Sequence, residues 1–560
     1  MRRPGLRGRL SSPRLPLLVG IVVAVAVGGL LTTFHHTQRL LVPSRVAIAA
    51  AMHGPEASQV LPHVHWDRIA VTPIDNQLEH VSFLSHGQLV AEAAIDRAGH
   101  VASEKIDTEP VPYGNWVAYE PAVLVGLCLL FVLMGAVTPW RRLRNLDVLA
   151  ALSFLPAVIL FQHRYLSASM LAAAPPMLYL LLRCGFVAFG ADRPPAPARP
   201  LLATLTPGLD PARRVRWLRW LLVVVAVVFV MVGAGSPNAV DVLYGAMEGA
   251  TRLIHGVLPY GHLPPGVIHG DTYPLLTYVL YTPLALLAPV NTTWDSVTGG
   301  LALAVLAALL AAAAVFLTVA GRRRRGARRP VEVEEAGLRA ALAWLAFPPL
   351  LITVSTGTTD PALAAMLAIA VLIWRRPALC TAMLAVAGWF KFAPFVLVPV
   401  SLAPLRGRRL AGALAAIALV SLPLLGLLLA LGGVGGPAAM LHSVSYQFTR
   451  GSMQSVWGAL GIAGAQPFGQ ACVLGLIAAS VLWLRQHPQR ASERRRMAAL
   501  SAAILISLQL SADYWAFLYL AWVMPLLGTS VLAGPAAAEA AGEPASAAVG
   551  RLEAAGALAG

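Results

Sequence analysis

The sequence predicts an all-α polytopic membrane protein with about 14 transmembrane helices and a small α/β or β module near the amino terminus. The first observation is compositional: 58% of the 560 residues are hydrophobic and 12% are charged, with a mean hydropathy of +0.70. The second is that apolar runs of about 20 residues, the length of a membrane span, recur from Leu17 to Ala533. A soluble enzyme, a disordered chain and a β-barrel are excluded, because the spans of a barrel alternate and are half as long.

The net charge of +16 reports membrane topology. Lysine occurs only twice, at Lys105 and Lys391, so forty of the 42 basic residues are arginine. The arginines form short blocks between apolar runs, as the positive-inside rule requires of cytoplasmic loops. No surface combines basic and aromatic residues, so we expect a lipid bilayer and no nucleic acid as partner.

The apolar runs and arginine blocks predict an alternating path through the membrane. The predicted spans are 17–33, 119–139, 147–161, 167–188, 216–234, 297–320, 337–354, 361–374, 378–390, 392–405, 409–432, 469–484, 497–511 and 516–533. An uncleaved amino-terminal anchor then leaves every arginine block and both termini in the cytoplasm of a multi-pass cell-membrane protein. Residues 273–289 are apolar enough to span, but counting them would move the block 322–329 outside. They contain three prolines and three tyrosines, which favour an interfacial or re-entrant helix of the first outer loop.

This topology divides the chain into six regions. They are an anchor (1–33), a small extracytoplasmic domain (34–118), additional transmembrane helices (119–190), a proline-rich cytoplasmic linker (191–215), a main membrane domain (216–533) and a disordered cytoplasmic tail (534–560). In the extracytoplasmic domain, residues 79–85 and 88–96 flank His86-Gly87 and predict a β-hairpin, followed by a second turn at 97–100.

The outer loop after the span at 216–234 has the most informative polar residues. Asp241, Tyr244, Glu248 and Arg252 are spaced so that they share one face of a helix. Further along this loop follow Tyr260, His262, His269, Asp271 and Tyr273. A solvated interfacial helix followed by a Pro/Gly turn explains this stretch as well as a binding site does.

The predicted topology brings further ionisable groups to the same outer level of the membrane. Asp360 precedes one span, Lys391 lies between two short apolar runs, and Asp513 with Tyr514 separates the last two spans. Ionisable groups at this depth are costly and usually line a polar cavity. The alternatives are a snorkelling Lys391 at a helix end and an Asp360 that caps a helix beginning at Pro361.

Several short motifs resemble the GT-C membrane glycosyltransferases, and among them the polyprenol-phosphate-mannose-dependent mannosyltransferases of glycosyltransferase family 87. The motifs are Asp241-x-x-Tyr244, Gly256-x-x-Pro259-Tyr260, Tyr273-Pro274, Pro283-Leu284, GTTDP at 357–361, WFKFAP at 389–394 and SADYW at 511–515. The resemblance covers roughly 216–533 and implies a GT-C-like core, while 1–215 have no counterpart. The family's Tyr-Pro-Pro is Tyr273-Pro274-Leu275 here, and its Trp-Asp-His corresponds to Asp513-Tyr514-Trp515.

The resemblance implies transfer of a sugar, mannose, from a polyprenyl-phosphate donor to an envelope glycan or glycolipid on the extracytoplasmic face. Asp241 is then the general base that deprotonates the acceptor hydroxyl, and Lys391, with Arg252 second, neutralises the leaving phosphate. The residues expected to bind substrate are Tyr244, Glu248, Arg252, Tyr260, His262, His269, Asp271, Tyr273, Asp360, Lys391, Asp513 and Tyr514. A phosphate leaving group does not require a metal, no metal-ligand spacing is evident, and no cofactor is expected.

Two other functions remain open. A transporter or a lipid-linked-sugar flippase would use the same charges as a translocation path. Against transport, the polar residues gather at one membrane face, and neither an inverted repeat nor paired broken helices is evident. A membrane scaffold whose domain 34–118 binds a partner leaves Asp241 and Lys391 unexplained.

Overall fold

The computed structural model describes most of the chain. The described residues are 19–20, 22–25, 40–73, 78–85, 88–106, 114–163, 165–190, 198–236, 239–263, 270–291, 295–321, 330–449 and 454–532. Most of the predicted anchor 1–33, the tail 534–560, the arginine block 322–329 and His269 lie outside these residues, so what was expected of them stays a prediction.

The amino-terminal module combines two short helices with a four-stranded antiparallel sheet. Its elements are α1 (Ser44–Met52), α2 (Ala57–Val60), β1 (Arg68–Pro73), β2 (Leu78–Ser85), β3 (Gln88–Asp96) and β4 (Val101–Ile106). The strands pair in sequence order, so the sheet is a meander. This confirms the predicted small module with strands.

The predicted hairpin is confirmed in its register. Val81 lies opposite Ala93, and one face of the sheet packs these residues and Phe83 against Ala47 and Ala51 of α1. The turn His86-Gly87 lies outside the described part of the chain. The second turn is present: Asp96 accepts the backbone N–H of His100 at 2.8 Å, and Gly99 takes a positive φ of 81°.

The rest of the chain is predominantly helical. The helices from 121 to 320 are α3 (Pro121–Gly135), α4 (Leu143–Leu152), α5 (Phe154–Gln162), α6 (Leu166–Phe189), α7 (Leu201–Leu205), α8 (Pro211–Ala234), α9 (Asp241–Ile254), α10 (Leu275–Leu287) and α11 (Thr298–Ala320). Those from 331 to 527 are α12 (Val331–Leu345), α13 (Pro348–Ser355), α14 (Asp360–Leu372), α15 (Pro377–Phe390), α16 (Val398–Leu402), α17 (Gly407–Gly432), α18 (Gly435–Thr449), α19 (Val456–Ala459), α20 (Gln466–Gln486), α21 (Arg494–Ser511) and α22 (Leu520–Leu527). Short 3₁₀ segments lie at Trp116–Tyr119, Ala393–Leu397, Ala463–Ala465, Pro488–Ser492 and Phe517–Tyr519.

Several of these helices are long and apolar enough to cross a membrane, which supports a membrane protein. Within the described residues there are six such helices, or seven if one bent pair counts as a single span. The predicted count of 14 is not confirmed. Most predicted spans coincide with helices, but α14 and α15 have only 13 and 14 residues. At 1.5 Å per residue, helices of this length fall short of a hydrocarbon core of about 30 Å.

The span predicted at 337–354 is wrong as a single helix. The structure divides it into α12 and α13, which meet at an angle of 54°. Pro348 and Pro349 begin α13, and because proline lacks a backbone N–H it cannot continue the hydrogen-bond ladder of α12. The span predicted from 216 also begins earlier, at Pro211, where Asp210 caps α8 by accepting the N–H of Ala212.

Close helix contacts fix the position of α9. Gly249 of α9 lies against the ring of Tyr278 in α10, so that a Cβ there would be 2.2 Å from Tyr278 Cδ1. On its other side, α9 packs Leu243 against Gly300 of α11. Gly357, with a φ of +65°, lets the turn before α14 approach Leu243 as well. Helix α9 is thereby held next to the start of α14.

The helices before residue 190 pack directly on those of the main membrane domain. Helix α6 runs along α21, and α3 lies against α12. Buried arginines tie the two sets together: Arg339 Nη2 donates to Met134 O at 2.8 Å, and Arg496 Nη1 donates to Gly190 O at 2.8 Å. Helices α3 to α6 are therefore part of the same packed core.

Candidate functional site

Lys391 forms a buried ion pair with Asp360. Its Nζ donates to Asp360 Oδ1 at 2.7 Å, and the two side chains are 7% and 1% exposed. Lys391 follows the last residue of α15, and Asp360 is the first residue of α14, so the pair joins the end of one helix to the start of a neighbouring one. Burial of two charges is costly and is tolerated only with close pairing and further hydrogen bonds.

Three aromatic rings complete the surroundings of Lys391. The centroids of Tyr273, Tyr519 and Trp522 lie 5.6, 5.6 and 5.4 Å from its ammonium, within range for cation–π attraction. Trp522 also donates its Nε1–H to Asp360 Oδ1 at 2.6 Å, and its ring stacks on Tyr519 with centroids 4.3 Å apart. We call Tyr273, Asp360, Lys391, Tyr519 and Trp522 the lysine cage.

Some polar atoms beside the cage have no protein partner. Asp360 Oδ2, Thr359 Oγ1 and the hydroxyl of Tyr281 are all buried without a hydrogen bond among the residues that the structure describes. Such atoms are rare in folded proteins, and each calls for a bound group or water. Close by, Thr277 of α10 donates to the carbonyl oxygen of Phe390, which fixes the residue before Lys391. The cage therefore has unused hydrogen-bonding capacity in a rigid setting.

Asp241 begins α9, at an exposed position. Its Oδ1 accepts the backbone N–H of Val242 at 2.8 Å. The preceding residue, Val240, donates its N–H to Thr356 O at 2.9 Å, in the turn that leads to Asp360. Asp241 is thus tied by the backbone to the turn before the cage, with its carboxylate open to water.

The polar face predicted for α9 is exposed at its start and buried in its middle. Tyr244 and Arg252 are half-buried, whereas Glu248 is 1% exposed, and both of its carboxylate oxygens lack a partner within the described residues. Burial raises the pKa of Glu248 to about 7; Arg252 partly offsets this and Asp295 adds to it. The stripe is therefore not a solvated surface throughout, because its middle is covered.

The loop before α10 is held by tyrosines and one carboxylate. Tyr260 donates to the carbonyl oxygen of Tyr273 at 3.1 Å, and Tyr278 donates to Gly270 O at 2.6 Å. The two phenol rings pack edge to face with centroids 5.9 Å apart. Asp271 Oδ2 accepts the N–H of Gly261 at 3.1 Å. These contacts fix the backbone that presents the ring of Tyr273 to Lys391.

His262 has a different place from that expected. It is exposed, and its Nδ1 lies 2.8 Å from the carbonyl oxygen of Tyr260, so it caps the turn locally. His269 lies outside the described residues. Within the described ranges, no group of three or more His, Cys, Asp or Glu side chains is placed to hold a metal ion.

Helix α18 contacts the loop before α10 at the carbonyl oxygens of two residues. Ser443 Oγ donates to Asp271 O at 2.8 Å, and Gln447 Nε2 donates to Thr272 O at 3.1 Å. Positions 443 and 447 are one turn apart, so both side chains project from one side of α18. The two residues before Tyr273 are therefore fixed by α18.

The SADYW motif joins the cage through a tilted pair of tyrosine rings. Tyr514 packs its ring 6.3 Å from that of Tyr519, which belongs to the cage. Asp513 beside it is 5% exposed. The backbone N–H of Trp515 donates to Gln454 O at 2.6 Å, which anchors this turn.

The structure thus unites some of the expected residues and separates others. Tyr273, Asp360 and Lys391 meet in the cage, and Tyr514 reaches it through Tyr519. Neither the snorkelling interpretation of Lys391 nor the capping interpretation of Asp360 holds: Lys391 is 6% exposed, and no side-chain cap begins α14. The sequence reasoning missed Tyr519, Trp522 and Tyr281, which lie in apolar runs with no distinguishing signal apart from their aromatic type.

One comparison with known proteins bears on this site. Residues 272–512 match the family model of glycosyltransferase family 87, which confirms the resemblance expected from the motifs. The matched range contains Tyr273, Asp360 and Lys391 and begins after Asp241. No curated protein and no solved structure matches the chain significantly. The family match supports a membrane glycosyltransferase, and therefore a sugar donor and an acceptor in a lipid bilayer.

Proposed function

We propose that this membrane glycosyltransferase, matched to family 87 over residues 272–512, transfers mannose from a polyprenyl-phosphate donor to an envelope glycan or glycolipid. The reaction takes place on the extracytoplasmic face of the cell membrane, with both termini in the cytoplasm. The lysine cage is the observation that carries the proposal. It holds one fixed cation among aromatic rings and beside polar atoms that have no partner in the described residues, at the ends of two helices.

Lys391 stabilises the phosphate that leaves. As the bond between the anomeric carbon and the phosphate oxygen breaks, negative charge grows on the polyprenyl phosphate. A cation held in a water-poor site stabilises such charge more strongly than the same cation in water. Before the donor arrives, Asp360 holds the ammonium at 2.7 Å, and Trp522 holds that carboxylate by donating to Asp360 Oδ1 at 2.6 Å. The phosphate then becomes a second partner of the ammonium.

Asp241 removes the proton from the acceptor. The acceptor oxygen attacks the anomeric carbon, its proton passes to the carboxylate of Asp241, and polyprenyl phosphate departs with the electron pair of the broken bond. The exposed carboxylate at the start of α9 is open to an acceptor from the aqueous side. The backbone bond from Val240 to Thr356, 2.9 Å long, keeps it near the turn that carries Asp360.

Glu248 and Asp513 contribute sugar contacts. The carboxylate of Glu248 is buried with both oxygens unpartnered in the described chain, so it has room for the hydroxyl donors of a sugar. Asp513 and Tyr514 would contact the sugar next to the cage, since the ring of Tyr514 packs on that of Tyr519. Tyr244, Arg252, Tyr260, His262, His269 and Asp271 complete the proposed substrate-binding set.

The test is transfer of labelled sugar in membranes that carry the wild type or Asp241→Asn at equal expression. Polyprenyl-phosphate-mannose is offered beside its glucose and arabinose analogues. We expect mannose transfer by the wild type, and a loss of at least 100-fold in the variant, the size typical of removing a general base. Equal transfer by both proteins would remove Asp241 from the mechanism. Uptake or lipid flipping without transfer would favour a transporter instead.

A further inference from the structure

The sheet of the amino-terminal module touches helix α18 through one aromatic residue. Tyr446 of α18 packs against Ala94 of β3 and Leu78 of β2. Tyr446 is only 3% exposed and Ala94 only 2%. Tyr446 lies within the range matched by the family, whereas Ala94 and Leu78 lie outside it, and the proposed chemistry does not use this contact.

The same helix also holds the loop that carries Tyr273. Ser443 and Gln447, which donate to the carbonyl oxygens of Asp271 and Thr272, lie three residues before and one residue after Tyr446. Ser443 is one turn from both Tyr446 and Gln447, at spacings of three and four residues, so it is a neighbour of each on the helix surface. The surface of α18 that the module covers therefore adjoins the surface that binds the loop.

The loop ends directly in the lysine cage. Thr272 is followed by Tyr273, whose ring centroid lies 5.6 Å from the ammonium of Lys391. The described contacts thus form one continuous path from β2 and β3 through α18 to the cage.

We propose that the amino-terminal module is a positioning element for the donor site and acts through Tyr446. By covering Tyr446 it holds α18, and Ser443 and Gln447 then hold Asp271 and Thr272, so that Tyr273 is in place before substrate binds. Without this support the loop must be ordered when the donor binds, which weakens binding and leaves the chemical step unchanged. The consequence for catalysis rests on the proposed function; the effect on the loop does not.

The first test is hydrogen–deuterium exchange of the full-length protein in lipid nanodiscs, read on peptides that cover 270–276. Tyr446→Ala should speed exchange of the Asp271 and Thr272 amides, and Tyr446→Phe should leave it near wild type because the ring is kept. Leu441→Ala is the matched control on the same helix, because Leu441 is 63% exposed. Unchanged exchange in Tyr446→Ala would overturn the proposal.

The second test approaches the contact from the module. Leu78→Ala should speed exchange of the same loop peptide, and adding Tyr446→Ala should bring little more, because both changes break one contact. Full additivity of the two changes would overturn the proposal. If Tyr446→Ala does not fold, Leu78→Ala alone decides: a loop peptide at wild-type exchange contradicts the path.

The activity readout separates this inference from the proposed function. Tyr446→Ala should raise the KM for the lipid-linked donor about tenfold, the cost of one lost packing contact, with kcat within about twofold of wild type. A fall in kcat of about tenfold with an unchanged KM would overturn the positioning role. A wild type that transfers no sugar, together with the expected exchange pattern, would refute the proposed function and leave the path from module to loop intact.

Discussion

The ammonium of Lys391 donates to the carboxylate of Asp360 at 2.7 Å while Trp522 donates to the same oxygen at 2.6 Å. One oxygen of Asp360 thus accepts from both a cation and an indole, and the other oxygen has no partner among the described residues. The Oδ1 atom of Asp360 is therefore fixed by two donors, whereas its Oδ2 atom can still accept a hydrogen bond. This asymmetry is what a site needs if a ligand is to enter beside a charge that is already held.

The ion pair should show strong coupling in stability. Lys391→Met or Asp360→Asn alone leaves a buried charge without its partner, which costs about 3–5 kcal/mol. The double variant Lys391→Met/Asp360→Asn removes both charges and should lose less than the sum of the single losses. Thermal unfolding in detergent measures the three variants against wild type. Additive losses would mean that the two side chains do not stabilise one another.

Trp522 should matter for its N–H as well as for its ring. Trp522→Phe keeps an aromatic face beside Lys391 and removes the hydrogen bond to Asp360, a bond to a charged group worth about 1.5–3 kcal/mol. Trp217→Phe is the control, because Trp217 is 68% exposed. Melting temperatures of the two purified variants provide the comparison. A Trp522→Phe protein as stable as the Trp217→Phe protein would contradict the bond.

Glu248 should make the stability of the protein depend on pH. In the fold its pKa is raised to about 7, against an ordinary value of 4.5. Between these values the folded state holds a proton that the unfolded chain releases, so stability falls as the pH rises from about 4.5 through 7. Each unit of the rise is worth about 1.4 kcal/mol.

Glu248→Gln should remove this dependence and be more stable than wild type at pH 8. Glu332→Gln, at an exposed position of α12, is the matched control and should keep the wild-type profile. Unfolding temperatures measured from pH 5 to pH 8 give the answer. Parallel profiles for wild type and Glu248→Gln would show that the carboxyl is not perturbed.

Gly249 should tolerate no larger side chain. Gly249→Ala places a Cβ 2.2 Å from Tyr278 Cδ1, so α9 must move away from α10, at a cost of about 1–3 kcal/mol. Gly126→Ala in α3 is the control, since nothing lies within 4 Å of its added Cβ. We expect lower stability and lower transfer only for Gly249→Ala. Equal behaviour of the two variants would contradict the close packing of α9.

Much of this arrangement follows from local sequence patterns. Alternating residues on both sides of a Gly turn predicted the hairpin of β2 and β3, because the register of a hairpin follows from its turn and pattern. The arginine blocks predicted that Asp360 and Lys391 lie at one membrane level; the two side chains pair in the structure, and their level in the membrane stays a prediction. These properties depend on neighbours in sequence, or on the alternation of cytoplasmic and outer loops along the chain.

Other features depend on contacts between distant segments. Tyr519 and Trp522 lie in an apolar run that is ordinary for a membrane helix, and only the packing of α22 on α14 brings them to Lys391. Glu248 has the spacing of an exposed stripe, yet tertiary packing buries it. Apolar runs alone do not distinguish a membrane span from a short helix buried in protein, so the predicted 14 spans stay unconfirmed where helices such as α14 and α15 have only 13 and 14 residues.

The central claim is that Lys391 stabilises the leaving phosphate, and its most direct measurement is the kcat/KM of mannose transfer by purified protein in liposomes. Lys391→Met is compared with Lys105→Met, the change of the other lysine in the chain. We expect a loss of about 100-fold or more for Lys391→Met, the range found when a single oxyanion-stabilising group is removed, and a value within about twofold of wild type for Lys105→Met. Wild-type transfer by Lys391→Met would contradict the account.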